Sequence, residues 1–164
     1  MPRTGSAGRF SRVRGLEGTA ALPAFGRLAI NSVKLPRMAI RRELNVRLPN
    51  SPGALARVCR VLSDERVNIL ALSLDSTGGL RLVVDNAVRA AGVLRDQHHQ
   101  VSERDVVVVS LANAPGGLAA ALQLAANAGV NIDYAYASVV EGGTAATAVL
   151  GVADAQRAAA AAGL

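Results

Sequence analysis

The chain has 164 residues, about half of them apolar, so it can bury a core in one domain or in two small ones. A single cysteine, Cys59, excludes a disulfide framework within the chain and a cysteine-based zinc site. The formal charge of +6 suggests nucleic acid until it is located: residues 1–38 hold six Arg and one Lys against Glu17, while eleven Arg balance eleven acids in residues 39–164.

Residues 1–38 are rich in Arg and scattered with Gly and Pro, and they lack the apolar core of a secretory signal. The composition fits an organellar transit peptide, or an upstream start with the true one at Met38; the second reading is preferred. Either way the segment stands outside the fold. The neutral remainder has no net field to hold a polyanion, so nucleic acid is not the expected partner. No apolar run approaches the ~20 residues that a membrane helix needs. A cytoplasmic location is expected, with organellar import if residues 1–38 are genuine.

A first strand is predicted at Glu43–Leu48, where Leu44, Val46 and Leu48 alternate with Asn45 and Arg47. A helix follows from Pro52, which is a good first-turn residue, with Ser51 as its cap. Leu55, Val58, Cys59 and Leu62 fall on one stripe of it, and Asp64–Arg66 end it. Val67–Asp75, a turn at Thr77-Gly78-Gly79, and Leu80–Val84 predict a hairpin. A second helix spans about Asn86–Asp96, capped by Asp85 or Asn86, with His98 and His99 in the polar connector after it. A short strand is expected near Gln100–Glu103.

The valine run Asp105–Leu111 then predicts a strand buried on both faces. A helix follows with Leu118, Ala121, Leu122 and Ala125 on its stripe, ending at Asn127–Gly129. The next hairpin is Asn131–Val140 and Ala145–Val152, turning at Gly142-Gly143, with Tyr134 and Tyr136 on one face. A last helix runs from Asp154 through the Ala158–Ala162 tract.

The chain therefore repeats itself. Asn50-Ser51-Pro52-Gly53-Ala54-Leu55-Ala56 returns as Asn113-Ala114-Pro115-Gly116-Gly117-Leu118-Ala119, and Val67-Asn68-Ile69 returns as Val130-Asn131-Ile132, both 63 residues later. Val84–Ala90 aligns with Val152–Ala158 at an offset of 68, so five extra residues belong near Glu141-Gly142-Gly143. Strand, helix, strand, strand, helix, strand is the ferredoxin-like plan. The expected class is α+β, with two tandem βαββαβ units whose antiparallel sheets carry helices on one face. The units are 39–103 and 104–164. The second lacks its last strand, so its sheet is expected to be incomplete or completed by another chain.

Asn-x-Pro-Gly-x-Leu at a strand–helix junction, followed by Val-Asn-Ile at the next strand, occurs twice in register over about residues 40–164. It resembles the ACT domain, which regulates aspartate kinases, 3-phosphoglycerate dehydrogenases and acetolactate synthase small subunits. The resemblance implies a stand-alone tandem that binds an amino acid at the interface between units. Carried over by position, the site residues are Asn50, Pro52, Gly53, Leu55 and Asn68, and Asn113, Pro115, Gly116, Leu118 and Asn131. The chemistry is consistent with this. A helix N-terminus favours a carboxylate, Gly53 and Gly116 permit close backbone approach, and an Asn amide can meet an ammonium or a carboxylate. Ala114 and small residues stand where the first repeat has Ser51 and Arg57, so the two sites need not both bind.

The expected function is a regulatory or sensor protein, homo-oligomeric, that acts freely or docks on a biosynthetic enzyme. The alternative is a structural subunit that docks on such an enzyme without its own ligand. No Walker loop, nucleophile elbow or His-Glu-x-x-His appears, so neither an enzymatic site nor a cofactor is expected. Cys59 is expected in the core, His98 and His99 at the surface, and both tyrosines in sheet packing.

Overall fold

The structure is a computed structural model and describes residues 37–161; residues 1–36 of the basic extension lie outside the described residues, while Arg37 and Met38 belong to the first strand, which corrects the expectation that the whole segment 1–38 stands outside the fold. Strand β1 (Arg37–Arg47) begins ahead of the predicted Glu43, because Met38 and Ile40 carry the parity of Leu44 and Val46 further toward the N-terminus. Helix α1 (Ala54–Asp64) follows, then the hairpin of β2 (Ile69–Leu74) and β3 (Gly79–Val84). Helix α2 (Ala87–Asp96) is capped by Asn86, whose side chain accepts from the Arg89 amide at 3.0 Å. Strand β4 (Val101–Ala112) is continuous where two strands are predicted. Ser102-Glu103-Arg104-Asp105 contains no Gly or Pro to break an extended chain. Helix α3 (Gly117–Asn127), β5 (Ile132–Val139), β6 (Ala145–Val152) and α4 (Ala155–Ala160) complete the order.

All six strands form one antiparallel sheet in the order β2-β3-β1-β4-β6-β5. The order is symmetric about the central β1–β4 pair, whose register runs from Arg37↔Ser110 to Val46↔Val101. Each of these two strands serves both repeats. The C-terminal half of β1 opens the first repeat, and its N-terminal half lies where a last strand of the second would lie. The chain thus fills that slot from its own β1, which corrects the expectation of an open sheet or one completed by another chain. The expected boundary between residues 103 and 104 falls inside β4.

Met38, Leu44 and Val46 share one side of β1 and are buried under helices. Leu44 and Val46 pack with Val58, Leu62 and Leu94, whereas Met38 packs with Ala121 and Ala158. Both helix pairs therefore cover the same face. Between the two cores this face carries an ionic chain: Arg95 to Glu103 (2.9 Å), Glu103 to Arg42 (3.1 Å) and Arg42 to Asp105 (3.3 Å). Exposed pairs of this kind add little stability.

On the other face Val83, Val106 and Val149 form a third cluster, with Ala71 of β2 and Tyr136 of β5 packed against it. Those are the two edge strands, so the twisted sheet curls until a residue of each edge packs over its middle. Under the curl lies Glu43, fully buried. It accepts hydrogen bonds from the hydroxyls of Tyr134 and, at 2.9 Å, Tyr136. Gly151 makes room for the Tyr134 ring, since a Cβ there would stand 2.2 Å from Cζ. The guanidinium carbons of Arg81 and Arg104 lie 4.5 and 5.4 Å from that ring's centre.

Burial, together with the Glu43 carboxylate, pushes the Tyr134 hydroxyl up to about 12 and raises Tyr136 as well. The fold therefore favours the neutral phenols. Their contribution is fully present below pH ~10, the ordinary tyrosine value, and is lost as pH climbs from there through about 12. The chain has only two tyrosines, so tyrosinate absorbance reports this pair alone. The expected alkaline titration shows tyrosinate appearing together with unfolding. Ionisation at the ordinary value in a still-folded protein would contradict the burial.

Candidate functional site

The repeated Asn-x-Pro-Gly turn sits where β1 passes to α1 and where β4 passes to α3. Gly53 takes φ 81 and Gly116 φ 85, each at a helix N-cap. A side chain in this left-handed region costs about 1–2 kcal/mol. Conformation, more than close approach, demands glycine here. A Cβ on Gly116 would meet nothing within 4 Å, and one on Gly53 would meet only Arg57 at 3.5 Å. Helix α1 accordingly starts at Ala54 rather than Pro52, and no side chain caps it; the Ser51 carbonyl accepts from the Ala54 amide at 3.2 Å.

The first corner opens on a cavity of ≈ 670 Å³. Three predicted residues, Asn50, Gly53 and Leu55, line it together. Pro52 lies outside the lining, on the exposed turn. Cys59 also lines the cavity and is half-buried at the edge of its stripe, not deep in the core.

The facing wall is the β2–β3 turn, with Leu74, Asp75 and Gly78, which sequence reasoning did not assign to the site. The Leu48 amide donates to the Gly78 carbonyl at 2.8 Å and joins this turn to the corner. Asp75 Oδ1 accepts from the Thr77 hydroxyl (2.6 Å) and from the amides of Thr77 and Gly79 (2.9 Å each). The Thr77 hydroxyl, then the Gly79 amide, hold the Asp75 carboxyl below its ordinary range. Asp75 is thus a positioned negative charge at the cavity. The Asp-x-Thr-x-Gly spacing is an Asx-turn signal that was legible beforehand.

Asn68 does not reach this corner within one chain. It precedes β2, whose length of roughly 17–20 Å separates it from Leu74. Its amide donates to the Asp85 carboxylate at 3.0 Å and its carbonyl accepts from the Asp85 amide at 3.1 Å, which closes the far end of the hairpin. Asn131 likewise precedes β5, at the end away from Asn113.

The second corner has the same turn and a smaller cavity, ≈ 190 Å³, lined by Asn113, Leu118 and Val139 among others but not by Pro115 or Gly116. The longer β5–β6 hairpin accounts for the difference. Pairing of β4 with β6 extends to Ala112↔Ala145. The Asn113 amide then donates to the Thr144 carbonyl at 3.1 Å, and its side-chain Nδ2 donates to the Gly143 carbonyl at 2.7 Å. Among the described residues no such bond engages the side chain of Asn50.

His98 adopts φ 63 just after α2, and the His99 amide donates to the Leu94 carbonyl at 3.0 Å, so this pair terminates a helix. Among the described residues no three His, Cys, Asp or Glu stand together to hold a metal. No described helix is long and apolar enough to cross a membrane.

The family model of the ACT domain pair matches residues 38–160. Among solved structures, protein BT0572 from Bacteroides thetaiotaomicron is similar at 30% identity, over 76% of this chain and 87% of that one, with a TM-score of 0.68. The ligand-free regulatory subunit of aspartate kinase from Thermus thermophilus is similar in fold, at 18% identity over 80% of this chain and 96% of that one, with a TM-score of 0.60. The corresponding subunit from Thermus flavus has the same identity and coverage and a TM-score of 0.58. No curated protein matches.

Proposed function

The chain belongs to the ACT domain pair family, and from that premise we propose that it is a non-catalytic regulatory protein binding one amino acid per chain at the β1–α1 corner. The observation that carries this reading is the ≈ 670 Å³ cavity in which the first Asn-x-Pro-Gly turn faces the positioned charge of Asp75. An amino acid needs opposite partners at its two ends. Asp75 suits the ammonium, the N-terminus of α1 suits the carboxylate, and the Asn50 amide serves either. Leu48, Leu55, Cys59 and Leu74 offer an apolar lining to the ligand's side chain. The fold shared with aspartate kinase regulatory subunits supports a regulatory role.

The second corner, with its smaller cavity and engaged Asn113, is not a second site in this reading. Homo-oligomerisation belongs to it: Leu70, Leu72 and Leu74 on the edge strand β2 are 48%, 39% and 45% exposed, and a second copy along that edge would cover them. Docking on a biosynthetic enzyme without a ligand is the alternative.

The test is a titration of the full chain with each standard amino acid, followed by melting and calorimetry. A ligand at 100 times its Kd adds roughly 2.7 kcal/mol. The expected stoichiometry is one per chain, with the shift lost in Asn50→Ala and kept in Asn113→Ala. No shift with any amino acid sinks the ligand reading and leaves the docking alternative.

A further inference from the structure

The curled face of the sheet gathers polar side chains at one end of β1, beside the Tyr134 ring over which Arg81 lies. In register, Ser73 of β2 stands opposite Arg81 of β3, Arg81 opposite Asn45 of β1, and Asn45 opposite Ser102 of β4. Residues so opposed hold their Cβ atoms about 4.5–5.5 Å apart. Arg47 follows Asn45 by two residues on β1 and shares its face. Asn45, Arg47, Arg81 and Ser102, joined by Gln100, line a cavity of ≈ 360 Å³ whose lining contains no acid.

Two guanidiniums beside one cavity repel each other unless a negative group lies between them. Arg81 is partly answered by Asp75 at 3.6 Å, a residue outside the lining of this cavity. Arg47 is exposed and takes part in none of the ion pairs among the described residues.

We infer that this patch binds a small dianion, a phosphate or a dicarboxylate, at a site distinct from the β1–α1 corner. A guanidinium fork matches either oxyanion with two parallel hydrogen bonds. The carboxamides of Asn45 and Gln100 and the hydroxyl of Ser102 supply further donors. Asp75 competes with the anion for Arg81, so its charge sets how freely Arg81 turns to the ligand.

Calorimetric titrations of the full chain with inorganic phosphate and with succinate, at constant ionic strength, test this. At least one anion binds saturably, and the stronger of the two identifies the class. Arg47→Ala weakens binding at least about tenfold, the loss of one charged hydrogen-bonding partner. Asp75→Asn keeps an oxygen for the turn but removes the competing charge, and it tightens binding severalfold. Arg60→Ala, which removes an exposed arginine on α1, is the control for net charge and leaves binding unchanged. A thermal melt of Arg47→Ala matching the parent shows that the loss is not one of folding. The proposal is overturned if neither anion saturates, or if Arg47→Ala has no larger effect than Arg60→Ala. Either result leaves the amino-acid reading standing, because Arg47 does not line the corner cavity.

Discussion

Glu43→Ala lowers the unfolding free energy by about 3 kcal/mol, read from urea denaturation at neutral pH. The carboxylate is fully buried and is the acceptor for two tyrosine hydroxyls. Truncation leaves both hydroxyls facing a void, and each orphaned donor costs about 1–3 kcal/mol. Against this stands the relief of no longer burying a charge, which is itself costly. The balance is exposed by a second variant. Glu43→Leu combined with Tyr134→Phe and Tyr136→Phe removes donors and acceptor together, and it recovers most of the loss, since replacing a whole buried polar set with apolar groups is near neutral. The effect is global because Glu43 lies on β1 and the tyrosines on β5, so their bonds hold the curled edge over the middle of the sheet. A Glu43→Ala protein within about 0.5 kcal/mol of the parent, the range of an ordinary surface change, would show that the cluster holds nothing together.

Gly78→Ala costs about 3 kcal/mol or more and, under the proposed function, abolishes amino-acid binding with it. Gly78 has φ +86, and a Cβ there would lie 2.2 Å from the Leu48 carbonyl oxygen. That atom is backbone and cannot swing aside as a side chain would. The turn must lift, breaking the 2.8 Å bond from the Leu48 amide to the Gly78 carbonyl. Leu48, Asp75 and Gly78 all line the corner cavity, so its wall moves with the turn. Gly142→Ala is the matched control in the other hairpin. Its φ is +73, but a Cβ there meets nothing within 4 Å, so it costs only the left-handed conformation, about 1–2 kcal/mol. Equal losses in the two variants would mean that the contact with Leu48 carries no weight.

The local elements were readable because their signals are local. Asn86 and Asp154, at equivalent positions of the two repeats, cap α2 and α4 alike. Val58 and Leu62, with Ala121 and Ala125 one repeat later, are buried at helical spacing as the stripes require. Arg66 and Gly129 end α1 and α3 in the same left-handed conformation, φ 55 and 64. The change of offset from 63 to 68 placed the inserted residues in the β5–β6 hairpin, although most of them lengthen its strands, 8 residues each against 6 in the first repeat, rather than the turn. Half of the first corner was readable too, since Asn50, Gly53 and Leu55 belong to one short segment.

Its other wall was not, because Asp75 and Gly78 reach Asn50 only after β3 has paired with β1. The engaged Asn113 likewise depends on how far β6 extends along β4. Glu43 occupies a polar position in an alternating strand, which by pattern faces water. Tyr134 is 91 residues away, and only the curl of the whole sheet brings β5 over it. Nor does any periodicity reveal that one β1 serves both repeats. An apolar spacing of 2 or 3.6 records which side of a segment must leave water. It does not record which partner covers that side, because the partner is chosen by the shape and twist of the assembled sheet.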